Sequence, residues 1–357
     1  LKIKSLPPYL SGKLTRLKGE KFKFYSGQEG KFKTANHIRD EELRVFREIL
    51  DFTISDFEKE IKKHSTALNN TEFDLITRKE TRKIDDKTAK NLDSLISSLN
   101  NELERTKEAR NALKPATDIP FVWDIAFVEI FSGDSNGFDI VIGNPPYVRQ
   151  EQIADPCLSR DQITAENKKI YKTKLIHSVY QKYPWHFGNP EKPTRKLNAR
   201  SDLYIFFYFH GLSLLNPKGS FCFITSNSWL DVGYGADLQE FLLNHCHVKL
   251  ILDNQAKRSF ASADVNTIIA LFSAPDKSHD CAIDKTARFV MFKLPFENIM
   301  SPVLFEEIEE AETRFATVEF RVSPMKQESL LDEGWEWPED LDDMPRKKSD
   351  RRVRIGK

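Results

Sequence analysis

Apolar residues recur at three- and four-residue steps in two stretches of the first third of the chain. This spacing puts side chains on one face of a helix, so both stretches are predicted to be helical. We expect a helical hairpin over residues 36–115, inserted beside the main fold, with Asp40 as the first N-cap. A coiled-coil dimer is the weaker alternative because the repeats are short. The first stripe comprises Leu43, Phe46, Leu50, Ile54, Phe57 and Ile61, and the second comprises Leu92, Leu95, Leu99 and Leu103.

The two ends of the chain show no such period. Residues 1–35 mix lysine, glycine and aromatic residues, which predicts an irregular lead-in or short strands. Residues 301–357 are first acidic and then, after Pro345, basic, and we predict a charged linker there. The basic cluster suits contacts with phosphates, but a solvated terminus explains it equally well.

Between these ends, residues 116–300 have the texture of an α/β domain. The run 138–142 is short, mostly apolar and rich in β-branched residues, which is typical of a strand buried on both faces. Strands and helices alternate after it, and this predicts a doubly wound sheet whose ligands bind beyond the carboxyl ends of the strands. Further strands are predicted over 220–225, 248–253 and 265–272, and helices over 166–183, 202–215 and 236–245.

Composition narrows the function classes. Lys plus Arg and Asp plus Glu both total 54, so any surface for nucleic acid must come from local clustering. Four cysteines without close pairing favour a reducing cytoplasm. The triplet His245-Cys246-His247 has no second ligand pair at a usual spacing, so no metal site is predicted. The apolar runs are too short to span a bilayer, so no membrane association is expected.

The sharpest chemical signal is Asn144-Pro145-Pro146-Tyr147, directly after the strand at 138–142. An adenine exocyclic nitrogen is a poor nucleophile because its lone pair is delocalised into the ring. Two hydrogen-bond acceptors on its hydrogens favour a tetrahedral, more nucleophilic nitrogen. The Asn144 side-chain oxygen and the Pro145 carbonyl can supply them, since proline has a fixed φ and no N–H. Tyr147 offers a ring on which an extruded base can stack.

A proline-rich turn with an Asx-type hydrogen bond is the non-functional explanation of the same four residues. Their place after a buried strand, at the sheet edge where such folds bind ligands, favours function.

The sequence resembles the gamma-class adenine-specific DNA methyltransferases of restriction-modification systems, especially the fused type IIG enzymes, from about residue 120 to 272. Single matches have plain structural explanations: Phe207 and Trp229 suit a core, and Asp202 suits a helix N-cap. Their number and spacing carry the resemblance. The matching residues are Phe121-Val122-Trp123, Phe127, Glu129 and Phe131, then residues 137–148, Ser201-Asp202-Leu203-Tyr204, Phe207, Leu214-Leu215, Gly219, Phe223-Ile224-Thr225, Asn227, Trp229, Tyr234-Gly235, Leu238, Phe241, Leu242, Phe260, Ala263, Val265 and Thr267.

The resemblance implies a class I, Rossmann-like methyltransferase fold and transfer of methyl from S-adenosylmethionine to a flipped adenine. It implies that Asn144, Pro145, Pro146 and Tyr147 are catalytic, that Tyr147 and Phe260 hold the base, and that Asn144, Pro146 and Phe207 contact the cofactor. Double-stranded DNA is the implied partner, together with a restriction nuclease domain or subunit.

The chain also departs from the family. Ser226 stands where proline is usual, and no acidic residue lies near Phe209. No Gly-x-Gly loop opens a helix before residue 144, so we expect the cofactor loop upstream of Leu1 and the later half of the sheet here. A target-recognition domain is expected after Trp335-Glu336-Trp337-Pro338. We therefore expect the 357 residues alone to bind the cofactor weakly and not to methylate DNA.

Other functions remain open from the sequence. The same four residues serve methyltransferases that act on RNA adenine or on protein glutamine. A non-catalytic DNA-binding subunit with a methyltransferase shell is a further alternative, supported by the missing glycine loop. A pure nuclease is disfavoured, because no clustered Asp and Glu-x-Lys constellation follows a strand.

Overall fold

The computed structural model describes residues 6–74, 79–82, 84–113, 121–131, 136–254, 266–278 and 282–333. The chain divides into two compact units at residue 134. The first unit contains α1 (Pro8–Tyr25), α2 (Ala35–Leu68), β1 (Thr71–Asp74), β2 (Lys79–Arg82), α3 (Asp86–Ala112), α4 (Trp123–Ala126) and α5 (Val128–Phe131).

Helices α2 and α3 pack on each other, so the predicted helical hairpin is confirmed. An ion pair joins them on the outside, with Arg110 Nε 2.6 Å from Asp51 Oδ1. The antiparallel strands β1 and β2 lie between the two helices in sequence and were not predicted. The N-cap assignment to Asp40 is wrong. Helix α2 begins at Ala35, and Thr34 caps it by accepting a hydrogen bond from the His37 amide.

The prediction of irregular structure over 1–35 is wrong for residues 8–25, which form α1. Leu10, Leu14 and Leu17 are buried at helical spacing. The next core position in the stripe is Lys21, only 2% exposed, and its ammonium lies 2.9 Å from Glu42 Oε1 and 3.2 Å from Glu129 Oε2. A charged residue at a core position therefore concealed the apolar period.

The second unit is built on a seven-stranded mixed sheet of order β10-β11-β9-β7-β8-β6-β3. Its strands are β3 (Phe138–Gly143), β6 (Leu215–Ser226), β7 (Val248–Asn254), β8 (Thr267–Ser273), β9 (Thr286–Phe292), β10 (Phe315–Ala316) and β11 (Phe320–Lys326), and a separate hairpin contains β4 (Gly188–Asn189) and β5 (Lys192–Pro193). Its helices are α6 (Ala165–Lys182), α7 (Pro184–Phe187), α8 (Leu203–Leu212), α9 (Ser228–Asp231), α10 (Ala236–His245), α11 (Pro302–Glu310) and α12 (Gln327–Glu333), with 3-10 turns at Arg160–Gln162, Gly233–Gly235 and Phe296–Asn298.

Strand direction places the ligand-binding edge. Strand β3 is parallel to β6, and β7 is parallel to β9. Strand β8 is antiparallel to both β6 and β7, so β3, β6, β7 and β9 all run the same way. Their carboxyl ends therefore meet at one edge of the sheet, where α/β folds bind ligands.

Helices lie on both faces of the sheet, as the predicted doubly wound fold requires. Helices α8 and α10 pack on the face that carries Phe221, Ile251 and Phe272. Helix α11 packs on the opposite face through Leu304 and Ile308. Close packing of α8 depends on Gly211, where a Cβ would lie 2.7 Å from the Phe221 ring. The prediction that the strand at 138–142 is buried on both faces is wrong, because β3 is an edge strand and Ile140 and Ile142, on the face away from α8, are 67% and 76% exposed.

The prediction of a linker over 301–357 is wrong for residues 302–333, since β11 belongs to the main sheet and Phe320 and Val322 are buried. Arg321, Ser323 and Pro324 lie among these apolar residues, and a proline within a strand obscured the pattern of a half-buried strand. Trp335 and the rest of 334–357 lie outside the described residues.

Candidate active site

Asn144-Pro145-Pro146-Tyr147 follows β3 at the carboxyl edge of the sheet. The last residue of β3, Gly143, pairs with Phe223 of β6, so the chain leaves the sheet there. Pro145 is buried, whereas Asn144 and Pro146 are exposed and Tyr147 is half-buried. The buried proline fixes the turn, and its neighbours face outward.

Two oxygens of this turn are uncommitted within the part of the chain that the structure describes. The Pro146 carbonyl accepts a hydrogen bond from the Val148 amide at 3.0 Å. No described donor lies within hydrogen-bond reach of the Pro145 carbonyl or the Asn144 side chain. The turn thus presents an amide oxygen and a carbonyl oxygen on adjacent residues.

Tyr147 is held by its hydroxyl, which donates to the Ile224 carbonyl of β6 at 3.2 Å. Partial burial raises the pKa of this phenol above its usual range. The hydrogen bond fixes the position of the outer end of the ring against β6.

Residues 148–150, where the loop leaves the site, are tied to the start of α8. The Asp202 carboxylate accepts from the Gln150 amide at 2.8 Å and from the Tyr234 hydroxyl at 2.9 Å. The Leu203 amide donates to the Val148 carbonyl at 3.0 Å. The Tyr204 hydroxyl in turn contacts the Tyr234 hydroxyl. We call these three residues, Asp202, Tyr204 and Tyr234, the loop anchor.

The proton order within the anchor follows from its donors. The Tyr234 hydroxyl has one hydrogen and donates it to Asp202. In the 2.7 Å contact between the Tyr204 and Tyr234 hydroxyls, Tyr204 must therefore be the donor. Burial raises the pKa of Tyr204 and raises that of Tyr234 to about 12, which keeps both phenols protonated. The turn that carries Tyr234 needs glycine at 235, because a Cβ there would lie 1.9 Å from the Trp229 carbonyl oxygen.

Asp202 stands at the N-cap position of α8, but its side chain makes no capping bond. Its role in holding the loop was missed from the sequence, since Tyr234 lies 32 residues away. One signal could have linked them: both belong to the segments that carry the family resemblance.

The structure places Phe207 on α8, 38% exposed, while its neighbours Phe206 and Phe209 are buried in the core. It lies three residues after Tyr204 of the loop anchor, about 4.5 Å along the helix axis. Trp229, by contrast, is fully buried and is a core residue. Phe260 lies outside the described residues.

A model of the Eco57I restriction-modification methylase family matches residues 47–260, more than half of the chain. The chain belongs to this family. The match ends at residue 260 and includes the Asn144 turn, α8 and the loop anchor.

Relatives of this family member include type II methyltransferases. The chain is 29% identical over 146 residues to M.BstVI of Geobacillus stearothermophilus, covering 41% of this chain and 21% of that protein. It is 34% identical over 113 residues to M.XhoI of Xanthomonas vasicola, covering 30% of this chain and 15% of that protein. The matched segments thus span about a fifth or less of these relatives.

Among solved structures, the type IIG restriction endonuclease BpuSI aligns with a TM-score of 0.34 at 15% identity, covering 54% of this chain and 19% of that one. A modification subunit of a putative type I restriction enzyme from Vibrio vulnificus aligns with a TM-score of 0.35 at 13% identity, covering 71% and 44%. Scores this low carry no functional conclusion. Across the described ranges, no helix is long and apolar enough to cross a membrane.

Proposed function

We propose that this chain carries the base-activating part of an adenine-specific DNA methyltransferase of a restriction-modification system. One observation carries the proposal: the Asn144 side chain and the Pro145 carbonyl present uncommitted oxygens on adjacent residues at the carboxyl edge of the sheet. Membership in the methylase family supports it, because the matched region contains both residues.

In the proposed mechanism, these two oxygens accept the two hydrogens of the adenine exocyclic amine. The bonds draw the nitrogen away from planarity and leave its lone pair available for attack on a methyl group. The bond between the methyl group and its donor would break as the bond to nitrogen forms, and the nitrogen would then release one of its two hydrogens as a proton. Pro145 is buried and Pro146 has a fixed φ, so the acceptors need no reorganisation during the reaction.

Tyr147 is proposed to stack on the extruded adenine, with Phe260 on the other face. The hydrogen bond to the Ile224 carbonyl orients the tyrosine ring in advance. Stacking on one aromatic residue contributes about 1–3 kcal/mol per base and offsets part of the cost of extrusion.

S-adenosylmethionine is the proposed cofactor, and it supplies an electrophilic methyl group when bound. The described residues fit its apolar and aromatic parts: the Phe207 ring is exposed one helical turn beyond the loop anchor, and Pro146 is exposed on the turn. Phe207 is proposed to pack on its adenine, and Asn144 and Pro146 to border its methyl-bearing end.

Duplex DNA is the proposed substrate, and a restriction nuclease domain or subunit is a proposed partner. We expect the whole enzyme to transfer tritiated methyl groups to duplex DNA and to yield N6-methyladenine on mass spectrometry of the nucleosides. RNA of the same sequence and a glutamine-containing peptide are the parallel substrates. Transfer to either of these, with DNA unlabelled, would contradict the proposed function.

A further inference from the structure

A cavity of about 600 Å³ lies in the second unit, away from the Asn144 turn. Its floor is apolar and includes Ile251, Ile268 and Phe289. Its polar lining includes Asn227, Arg314 and Arg321. The proposed mechanism uses none of these residues.

The strand register places this cavity at the same edge of the sheet as the Asn144 turn. Asp253 pairs with Ile268 on one side and with Met291 on the other, and Met291 pairs with Arg321. These residues form one row across four strands, next to the carboxyl ends of β7 and β9. Directly paired residues point to the same face, so the row shares the face of the sheet that α8 and α10 cover.

Both arginines lack a carboxylate partner within the described ranges. The Arg321 guanidinium contacts Met291 Sδ at 3.4 Å, and no ion pair involves Arg314 or Arg321. Some described arginines have carboxylate partners, as Arg44 has Glu41 and Arg110 has Asp51, so what distinguishes Arg314 and Arg321 is that both line one cavity. Two guanidinium groups that line a cavity at a ligand-binding edge are available to an anion.

The two guanidinium groups come from neighbouring strands. Arg314 immediately precedes β10, and Phe315 and Ala316 of that strand pair with Val322 and Arg321 of β11. Asp231 and Asp253 also line the cavity, but on the side of α9 and β7. Two strand spacings, about 10 Å, separate the backbones of Asp253 and Arg321. Within this cavity, an anion is therefore attracted to the part beside β11, near the two arginines, and repelled from the part beside Asp231 and Asp253.

We propose that Arg314 and Arg321 bind a backbone phosphate of the DNA whose adenine enters at Asn144. The inference rests on the proposed function and extends it, since it assigns a DNA contact outside the base-binding turn. A chain with equal numbers of basic and acidic residues attracts DNA through local clusters, and this pair lies at the edge where the base is handled.

The test is the salt dependence of DNA binding by the 357-residue chain, measured by fluorescence anisotropy with a labelled duplex of random sequence. We expect Arg314→Gln and Arg321→Gln each to lower the slope of log K against log salt by about 1, and the double variant by about 2. Duplexes of different sequence should lose affinity by the same factor, because a phosphate contact reads no base.

Two controls separate charge at this place from other effects. Arg321→Lys keeps the charge and should retain most of the slope, which a merely structural role of the guanidinium does not predict. Lys218→Gln removes an exposed charge near the amino end of β6, at the opposite edge of the sheet, and should leave the slope unchanged.

Two results would overturn the inference. One refutes the phosphate site alone, and the other also refutes the proposed function. A wild-type slope in the double variant would refute the phosphate site and leave the proposed function standing. No DNA binding by the wild-type chain, with no methylation by the whole enzyme, would refute both.

Discussion

The loop that follows β3 has two parts that differ in hydrogen bonding: its tip at Asn144 and Pro145, and its exit at residues 148–150. At the tip, no described donor bonds to the Asn144 side-chain oxygen or to the Pro145 carbonyl. At the exit, the Gln150 amide, Asp202 and Tyr234 satisfy one another through bonds of 2.8 and 2.9 Å. Under the proposed function, the oxygens at the tip are left for the adenine amine, and the bonds at the exit hold the loop that carries them. Each substitution below changes a residue of the tip or a residue that holds the exit.

The largest effect is expected at the tip, from Asn144→Ala. In the whole enzyme this change removes an acceptor used chiefly at the transition state, so kcat should fall by about 10²–10³ or more. Cofactor affinity, measured by calorimetry, should stay mostly intact. Turnover within a few-fold of wild type would remove Asn144 from the mechanism.

At the exit, Asp202→Ala should lower kcat by less than Asn144→Ala does, but it should also make the loop at residues 148–150 less ordered. Hydrogen bonds to a charged group contribute about 1.5–3 kcal/mol, and this change leaves the Gln150 amide and the Tyr234 hydroxyl without their acceptor. We expect faster hydrogen exchange of the Gln150 amide, and a fall in kcat larger than any rise in KM.

Asp202→Asn is the matched control. Its Oδ1 can still accept from Gln150, and its Nδ2 can donate to Tyr234 if the two tyrosine hydroxyls reverse their direction. We expect wild-type protection of the Gln150 amide and most of the activity. Equal loss in the Asn and Ala variants would show that the charge, and not the support of the loop, matters at this position.

Tyr147 lies in the turn at the tip, and its hydroxyl is bonded to the Ile224 carbonyl of the sheet. Tyr147→Ala should destabilise the extruded base by about 1–3 kcal/mol, and Tyr147→Phe should do so by less because the ring remains. Fluorescence of 2-aminopurine at the target position reports extrusion. Phe260→Ala should act like Tyr147→Ala, and wild-type fluorescence in both alanine variants would show that the stacking role is wrong.

The smallest effect is expected from Tyr234→Phe, which removes one hydroxyl from the loop anchor. Asp202 then keeps its bond to Gln150 and loses one of its two donors, so the free energy of unfolding should fall by about 1.5–3 kcal/mol, which is less than in Asp202→Ala, where both bonds are lost. Urea denaturation of the 357-residue chain measures it. A larger loss than that of Asp202→Ala would reverse the order of importance proposed for the anchor.

The sequence predicted the parts of the molecule whose signal is local. Strands β3, β6, β7 and β8 have apolar cores, and α10 was predicted at its observed bounds, Ala236–His245. Helix α1 and strand β11 were missed because Lys21 interrupts one apolar stripe and Pro324 lies in the other element. In both cases tertiary packing overrides the local pattern.

The site divides in the same way. The tip was predicted because four consecutive residues follow a recognisable strand. The loop anchor was not, because Asp202, Gln150 and Tyr234 meet only after the sheet forms, and no spacing along the chain indicates which group the Asp202 carboxylate accepts from. From the sequence, Asp202 was explained as a helix N-cap because Asp is common there. In the structure its carboxylate bonds instead to the Gln150 amide and the Tyr234 hydroxyl.

The most direct test of the account is a structure of the whole enzyme bound to its DNA and to a non-reactive analogue of S-adenosylmethionine. The account predicts an extruded adenine whose exocyclic nitrogen lies about 2.7–3.2 Å from both Asn144 Oδ1 and the Pro145 carbonyl oxygen. An extruded base whose exocyclic nitrogen bonds to other groups, with both oxygens turned away from it, would contradict the central claim.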